Sequence, residues 1–383
     1  MPELLTANDL AALITRVFVP KSDDHALGVM IDLPDDRVPD EPAWAARRAM
    51  AAEWVAQLHQ RAAMLGYETR LLLYPNVHTN NGDLPAQGWV HAGGMVPQHA
   101  RELHAAQARP MREILDAHPM ILALTKFSST APLKVAARAG TFRAATMPGF
   151  GAAMIPALRI DYTEVNRRVW RLKHLLDAAT GADIVFAHAG GEDRLHLDLR
   201  HRTGHASGGL LPDRGVAGNL PSGEAYIVPY EGEVAGDASR TAGILPVQFG
   251  DEIVRYEIAG NRAQRVLTDG PASERERARL AAEPAYGNIA ELGLGVLAAF
   301  GVKAVGEVLL DEKLGLHIAF GRSEHFGGQV GPSAFSSPEA VVHIDRVYVK
   351  ETQPGVEVAS ADLAMASGET VALMRAGEFG RVF

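Results

Sequence analysis

The chain contains no cysteine. That absence excludes disulfides, thiol nucleophiles, iron–sulfur clusters and Cys-ligated zinc, and leaves His, carboxylate, hydroxyl and backbone oxygen as the donors open to a metal. Positive charge is also scarce: Lys and Arg total 37 against 46 Asp and Glu, for a formal charge of −9, and no basic run stands out. Non-specific nucleic-acid binding is therefore not expected. Apolar runs are broken by charge, Gly or Pro within about ten residues, short of the roughly twenty that span a bilayer. Residues 1–10 (MPELLTANDL) have neither a basic n-region nor a long apolar stretch, so they do not read as a signal peptide. A soluble, cytoplasmic protein without membrane contact is the expectation. There is no Rossmann fingerprint, no phosphate-binding P-loop and no GxSxG nucleophile elbow. What is present is 383 residues, 47% hydrophobic and 22% charged, enough for two or three domains and too apolar for a disordered chain.

Periodicity points to an α/β N-terminal domain with a mostly parallel sheet over residues 1–204. Residues 41–65 carry apolar positions at helical spacing and stop at Gly66, and residues 68–74 then read as a strand closed by Pro75. A helix is expected over 99–118 before a buried strand at 120–125. Another helix is expected over 162–180 before a strand at 182–187. Residues 203–223 (TGHASGGLLPDRGVAGNLPSG) are dense in Gly, Pro and Asn and mark a boundary. Beyond them, short strands around 225–229 and 252–258 and one helix near 272–282 predict a β-rich α+β domain over 205–383.

The chemistry-bearing residues lie in that second half. In the run VVHIDRVYV (341–349), β-branched alternation predicts a strand, so His343 and Asp345 share one face roughly 7 Å apart while Val342 and Ile344 face the core. His317, in LHIAFG (316–321), shares its face with the small Ala319, which leaves room for an ion. Glu224 opens a strand after the turn NLPSG (219–223). Glu291 sits in the apolar, Gly-flanked run NIAELGLG (288–295), where a carboxylate is either exposed or partnered, because burying it alone costs several kcal/mol. Taken singly, each has a structural reading: a hydrogen-bonded core histidine, a turn-exit glutamate, a carboxylate near a helix dipole. Spacing alone does not bring the five together.

The run GNLPSGE (218–224) resembles the Asn-hydrophobe-Pro-x-x-Glu signature of the thermophilic metallopeptidase family that includes aminopeptidases T and S. DEK (311–313), HIAFG (317–321) and HID (343–345) match the same family in the same order, and TKFSST (125–130) and TMPG (146–149) resemble its first domain. The resemblance implies a leucyl-aminopeptidase-like hydrolase with two divalent ions (zinc, manganese or cobalt) held by Glu224, Glu291, His317, His343 and Asp345. It also implies a small peptide or peptide-like amide as substrate, and a homodimer. The family carries a tyrosine shortly after the first histidine. Here that stretch reads RSEHF (322–326), and Glu324 or His325, nearest in sequence to a ligand, is the expected proton shuttle.

The 2,5-dihydroxypyridine dioxygenases, of the same fold, are also similar to this chain. Their pattern holds one Fe(II) with two His and one Asp, has a His at the place of Glu291 and no ligand at the places of Glu224 and His317. The carboxylates present here favour the hydrolase. His317, His343 and Asp345 still form a two-His, one-carboxylate set, so the ring-cleaving oxygenase is the alternative. A catalytically silent binding relative is the third reading. His201 and His205 have the i, i+4 spacing of a helical zinc pair, but Gly204 argues against a helix there.

Overall fold

The computed structural model describes residues 4–383, so residues 1–3 of the N-terminal segment read above lie outside the described residues. The described chain divides into two units, one formed by residues 1–164 with 209–222, the other by 165–208 with 223–383. A single boundary at 204/205 was the expectation. The difference arises because residues 203–223 are more than a linker: they hold Ala217–Asn219, a strand of the first unit, and His205–Ser207, a strand of the second.

The first unit is α/β. Ala217–Asn219, Arg143–Thr146, Met120–Ala123, Ala26–Leu33 and Glu68–Pro75 run parallel in that spatial order, and Gln87–Val90 and Arg109–Pro110 extend one edge antiparallel. Ala26–Leu33 is buried at every position, as a strand covered on both faces must be. The first helix, Ala7–Phe18, starts in a capping box between Thr6 and Asp9 and buries Leu10, Leu13, Ile14, Val17 and Phe18 at helical spacing. The helix predicted over 41–65 forms as Pro42–His59 and a short turn Ala62–Leu65, ended by Gly66 in the left-handed region. The helix predicted over 99–118 does not form as one element. Pro110 caps Met111–Asp116, and the preceding residues make two 3-10 turns with extended backbone at Leu103 and His104.

Most of the helix Tyr162–Ala178, from Val165 onward, belongs to the second unit, which contains two antiparallel sheets. The strand predicted at 182–187 lies within Ala179–His188, in the eight-stranded antiparallel sheet rather than in the parallel layer. A five-stranded antiparallel sheet follows the order His343–Val347, Leu316–Gly321, Ile289–Gly295, Glu224–Ile227, His205–Ser207. One face is apolar: Leu292, Leu294, Leu316, Ile318 and Phe320 are buried, and Phe320 packs on Tyr256 and Tyr286, whose hydroxyls both donate to Glu276 Oε2. Burying such side chains contributes about 1.5–3 kcal/mol each. Among the described residues no helix is long and apolar enough to cross a membrane.

In the first unit, Arg143 and Asp24 form a wholly buried ion pair, with Arg143 Nη1 and Nη2 at 3.1 and 2.6 Å from the two carboxylate oxygens. Burial alone would raise the Asp24 pKa, but Arg143, Arg214 and the Lys21 N–H outweigh it and hold the carboxyl far below its usual value. A depressed pKa gives stability that is complete above the unfolded value of about 3.9 and fades as pH falls toward the folded one. Asp24→Asn should cost about 3–5 kcal/mol in urea unfolding at pH 7. The gap to the parent chain should narrow on acidification, and a gap independent of pH would contradict this assignment.

Candidate metal centre

The polar face of the five-stranded sheet carries the chemistry. Alternation places His343 and Asp345 on one face of their strand, as the pattern of residues 341–349 implies. Register then aligns neighbours across the sheet: Ala319 lies between Glu291 and Asp345, and Gly293 and Val347 flank His317. On the next strand Glu224 pairs with Gly295 and Tyr226 with Gly293. Charged side chains thus alternate with Gly and Ala, which form a floor over which the longer groups lean.

The five candidates expected to hold metal come together. His317 Nε2 is 3.3 Å from Glu291 Oε1, 3.7 Å from Glu224 Oε2 and 4.0 Å from Asp345 Oδ1. His343 Nε2 is 3.3 Å from Glu291 Oε2 and 3.5 Å from Asp345 Oδ1. Two sets of donors result, Glu224–Glu291–His317 and Glu291–His343–Asp345, each with its ligand atoms within 4.8 Å of one another. Glu291 belongs to both and turns a different oxygen to each imidazole.

Residues outside the predicted set complete the arrangement. Lys313, wholly buried, donates from Nζ to Glu224 Oε1 at 2.5 Å and also pairs with Glu312. The other Glu224 oxygen, Oε2, is buried and has no hydrogen-bond partner among the described residues, and it faces His317. The Nδ1–H of His343 donates to the Arg322 carbonyl at 2.7 Å, which turns Nε2 toward Glu291 and Asp345. Gly293 makes room for His317: a Cβ there would lie 1.9 Å from His317 Nε2. Gly295 does the same for the Lys313 backbone, which a Cβ would meet at 2.2 Å. Tyr226 stacks on His205 and packs against Phe326, which in turn stands edge-on to His343.

The electrostatics follow from three nearly buried carboxylates sharing one site. Burial disfavours the charged imidazoles, yet the carboxylates prevail and raise His317 to about 9 and His343 well above its ordinary value. Burial likewise pushes Glu291 and Asp345 up, and the imidazoles hold both well below the normal carboxylate range. Glu312 is raised by burial despite its lysine neighbour. The residues fit a divalent cation: inward oxygens, two imidazoles whose protons a cation would displace, and a buried acceptor with no protein donor.

Of the two shuttle candidates, Glu324 is half exposed and tied to Arg322 at 2.8 Å. His325 is exposed, with its ring centroid 5.2 Å from that of His343; partial desolvation of the ring together with the His343 charge lowers its pKa to about 4. The i, i+4 pair does not share a site: His201 has φ 62° and meets Asp237, while His205 donates to the Phe326 carbonyl.

No protein-family model and no curated protein matches the chain. Among solved structures, 2,5-dihydroxypyridine dioxygenase from Pseudomonas putida KT2440 is similar over 98% of both chains, with a TM-score of 0.60 at 14% identity. AmpT from Thermus thermophilus is similar over 97% of this chain and 98% of its own, with a TM-score of 0.53 at 15% identity. The chain has the fold of these two proteins. An α/β unit accompanied by a β-rich one is therefore its fold class, in agreement with the sequence reading.

Gly293→Ala should drive the His317 ring from its place. In a zinc titration of the purified chain it should weaken binding by about tenfold or more, and unchanged affinity would show that His317 does not need the cradle.

Proposed function

We propose that the chain is a metal-dependent hydrolase of the aminopeptidase T type, cleaving an N-terminal peptide bond or a peptide-like amide. The observation that carries the reading is Glu291: its two oxygens face two imidazoles, each backed by a further carboxylate, Glu224 on one side and Asp345 on the other. Such a set would hold two divalent ions (zinc, manganese or cobalt), with Glu291 reaching both. When bound, a pair of ions polarises a substrate carbonyl and lowers the pKa of water toward neutrality.

The protein's own groups do the rest. Lys313 fixes Glu224 by one oxygen and leaves the other inward. The Arg322 carbonyl orients His343. His325, whose ring stands beside that of His343, would pass a proton to the leaving amine in preference to Glu324, whose carboxylate is occupied by the Arg322 guanidinium. Tyr226 and Phe326 form an aromatic wall beside His343 against which a substrate side chain can pack. A homodimer in the cytoplasm belongs to the same proposal.

One feature favours a second reading. Asp345 Oδ1 faces Nε2 of both histidines, at 3.5 and 4.0 Å, as one Fe(II) held by two His and one Asp would require. Assays separate the two. With added zinc, manganese or cobalt the chain should hydrolyse aminoacyl p-nitroanilides, and chelator should stop it. Glu291→Gln should reduce the rate by more than the roughly 10–100-fold typical of losing an outer-shell partner. Oxygen uptake with 2,5-dihydroxypyridine and Fe(II), without amide hydrolysis, would overturn the hydrolase reading.

A further inference from the structure

The two halves of the centre have matched donors: each combines one imidazole, one private carboxylate and one oxygen of Glu291. They differ in a fixed charge. Lys313 Nζ lies 2.5 Å from Glu224 Oε1 and pairs also with Glu312. Its side chain is wholly buried, so the ammonium cannot swing into solvent. Among the described residues, the ion-pair partners of Glu291, His343 and Asp345 are one another and His317; the Lys313 charge is felt by Asp345 at longer range, whereas it is in direct contact with Glu224.

We propose that Lys313 grades the centre: the Glu291–His343–Asp345 half takes the first divalent ion, and the Glu224–Glu291–His317 half takes a second, more weakly held one. The inference rests on the two-ion reading above. A cation at the Glu224 half shares that carboxylate with an ammonium and is repelled by it, in a buried setting where like charges interact more strongly than in water. Repulsion between the two ions themselves acts equally on both halves and cannot set their order. Lys313 therefore does two things at once. It stabilises the carboxylate cluster when cations are few, and it makes the second ion exchangeable. It is a positioning residue for Glu224, since it is paired with Glu224 and Glu312 and with neither imidazole, and it acts on the ion through its charge and its hold on Glu224.

The test is calorimetric titration of zinc into the chelator-stripped full chain, with a competing chelator to resolve tight binding. Two events should appear, separated by about tenfold or more in affinity. His317→Ala should abolish the weaker event and keep the tighter one, and His343→Ala should abolish the tighter. Lys313→Met, which removes the charge, should bring the two affinities to within about threefold by strengthening the second. The inference is overturned by two equal affinities in the parent chain, by a weaker event that survives His317→Ala, or by a gap that Lys313→Met leaves unchanged. If Lys313→Met does not fold, as judged by circular dichroism, Lys313→Gln, which also removes the charge but can keep a hydrogen bond to Glu224, takes its place with the same expected outcome. Two equal zinc ions would sink this inference and leave the two-ion reading standing, whereas a chain that binds no zinc would sink both.

Discussion

Three carboxylates with oxygens 3.3, 3.7 and 4.0 Å from the Nε2 of one buried imidazole, His317, repel one another, and that repulsion has to be met before the sheet beneath them can close. Glu224, Glu291 and Asp345 are all nearly buried. Opposite charge meets it from three directions: Lys313 on Glu224, His317 between all three, and His343 between Glu291 and Asp345. None of these interactions is an exposed ion pair of the kind that contributes little. Removing any one leaves a charge stranded in a medium that solvates it poorly. The apolar reverse face, from Leu316 to Phe320, contributes the burial that offsets this concentration of charge.

Much of this site is legible in the chain because strands alternate. Once residues 316–321 and 343–347 read as strands, the sides on which His317, His343 and Asp345 stand follow directly. Convergence is different. It depends on register between strands far apart in sequence, and no local pattern carries that. The space beside His317 shows the limit well. Ala319, its neighbour along the strand, suggests room for an ion. Yet Ala319 lies in the row between Glu291 and Asp345, and it is Gly293 across the sheet that accommodates the imidazole ring. Lys313 is harder still, because a lysine in a polar run normally signals a solvated surface. Its setting between Leu309–Leu310 and Leu314 is the one local hint of burial.

The first unit follows the sequence reading where apolar runs are continuous, as at Glu68–Pro75 and Met120–Ala123, and departs from it where a proline resets the backbone, as at Pro110. The boundary shows a similar weakness. Gly- and Pro-rich composition identifies residues 203–223 as a change of structure, but composition does not reveal that the chain passes from one unit to the other and back. Fold and chemistry also separate here. Two solved proteins of the same fold bear names that denote different chemistries, so the argument for this chain rests on its side chains rather than on its topology. The carboxylates at 224 and 291 carry most of that weight.

In the proposed function Glu291 joins two cation sites. Crystals grown with excess zinc and measured on both sides of the zinc absorption edge test it most directly. The account predicts two anomalous peaks, one among Glu224, Glu291 and His317, the other among Glu291, His343 and Asp345, with a different oxygen of Glu291 facing each. A single peak, or peaks held by other residues, would contradict it.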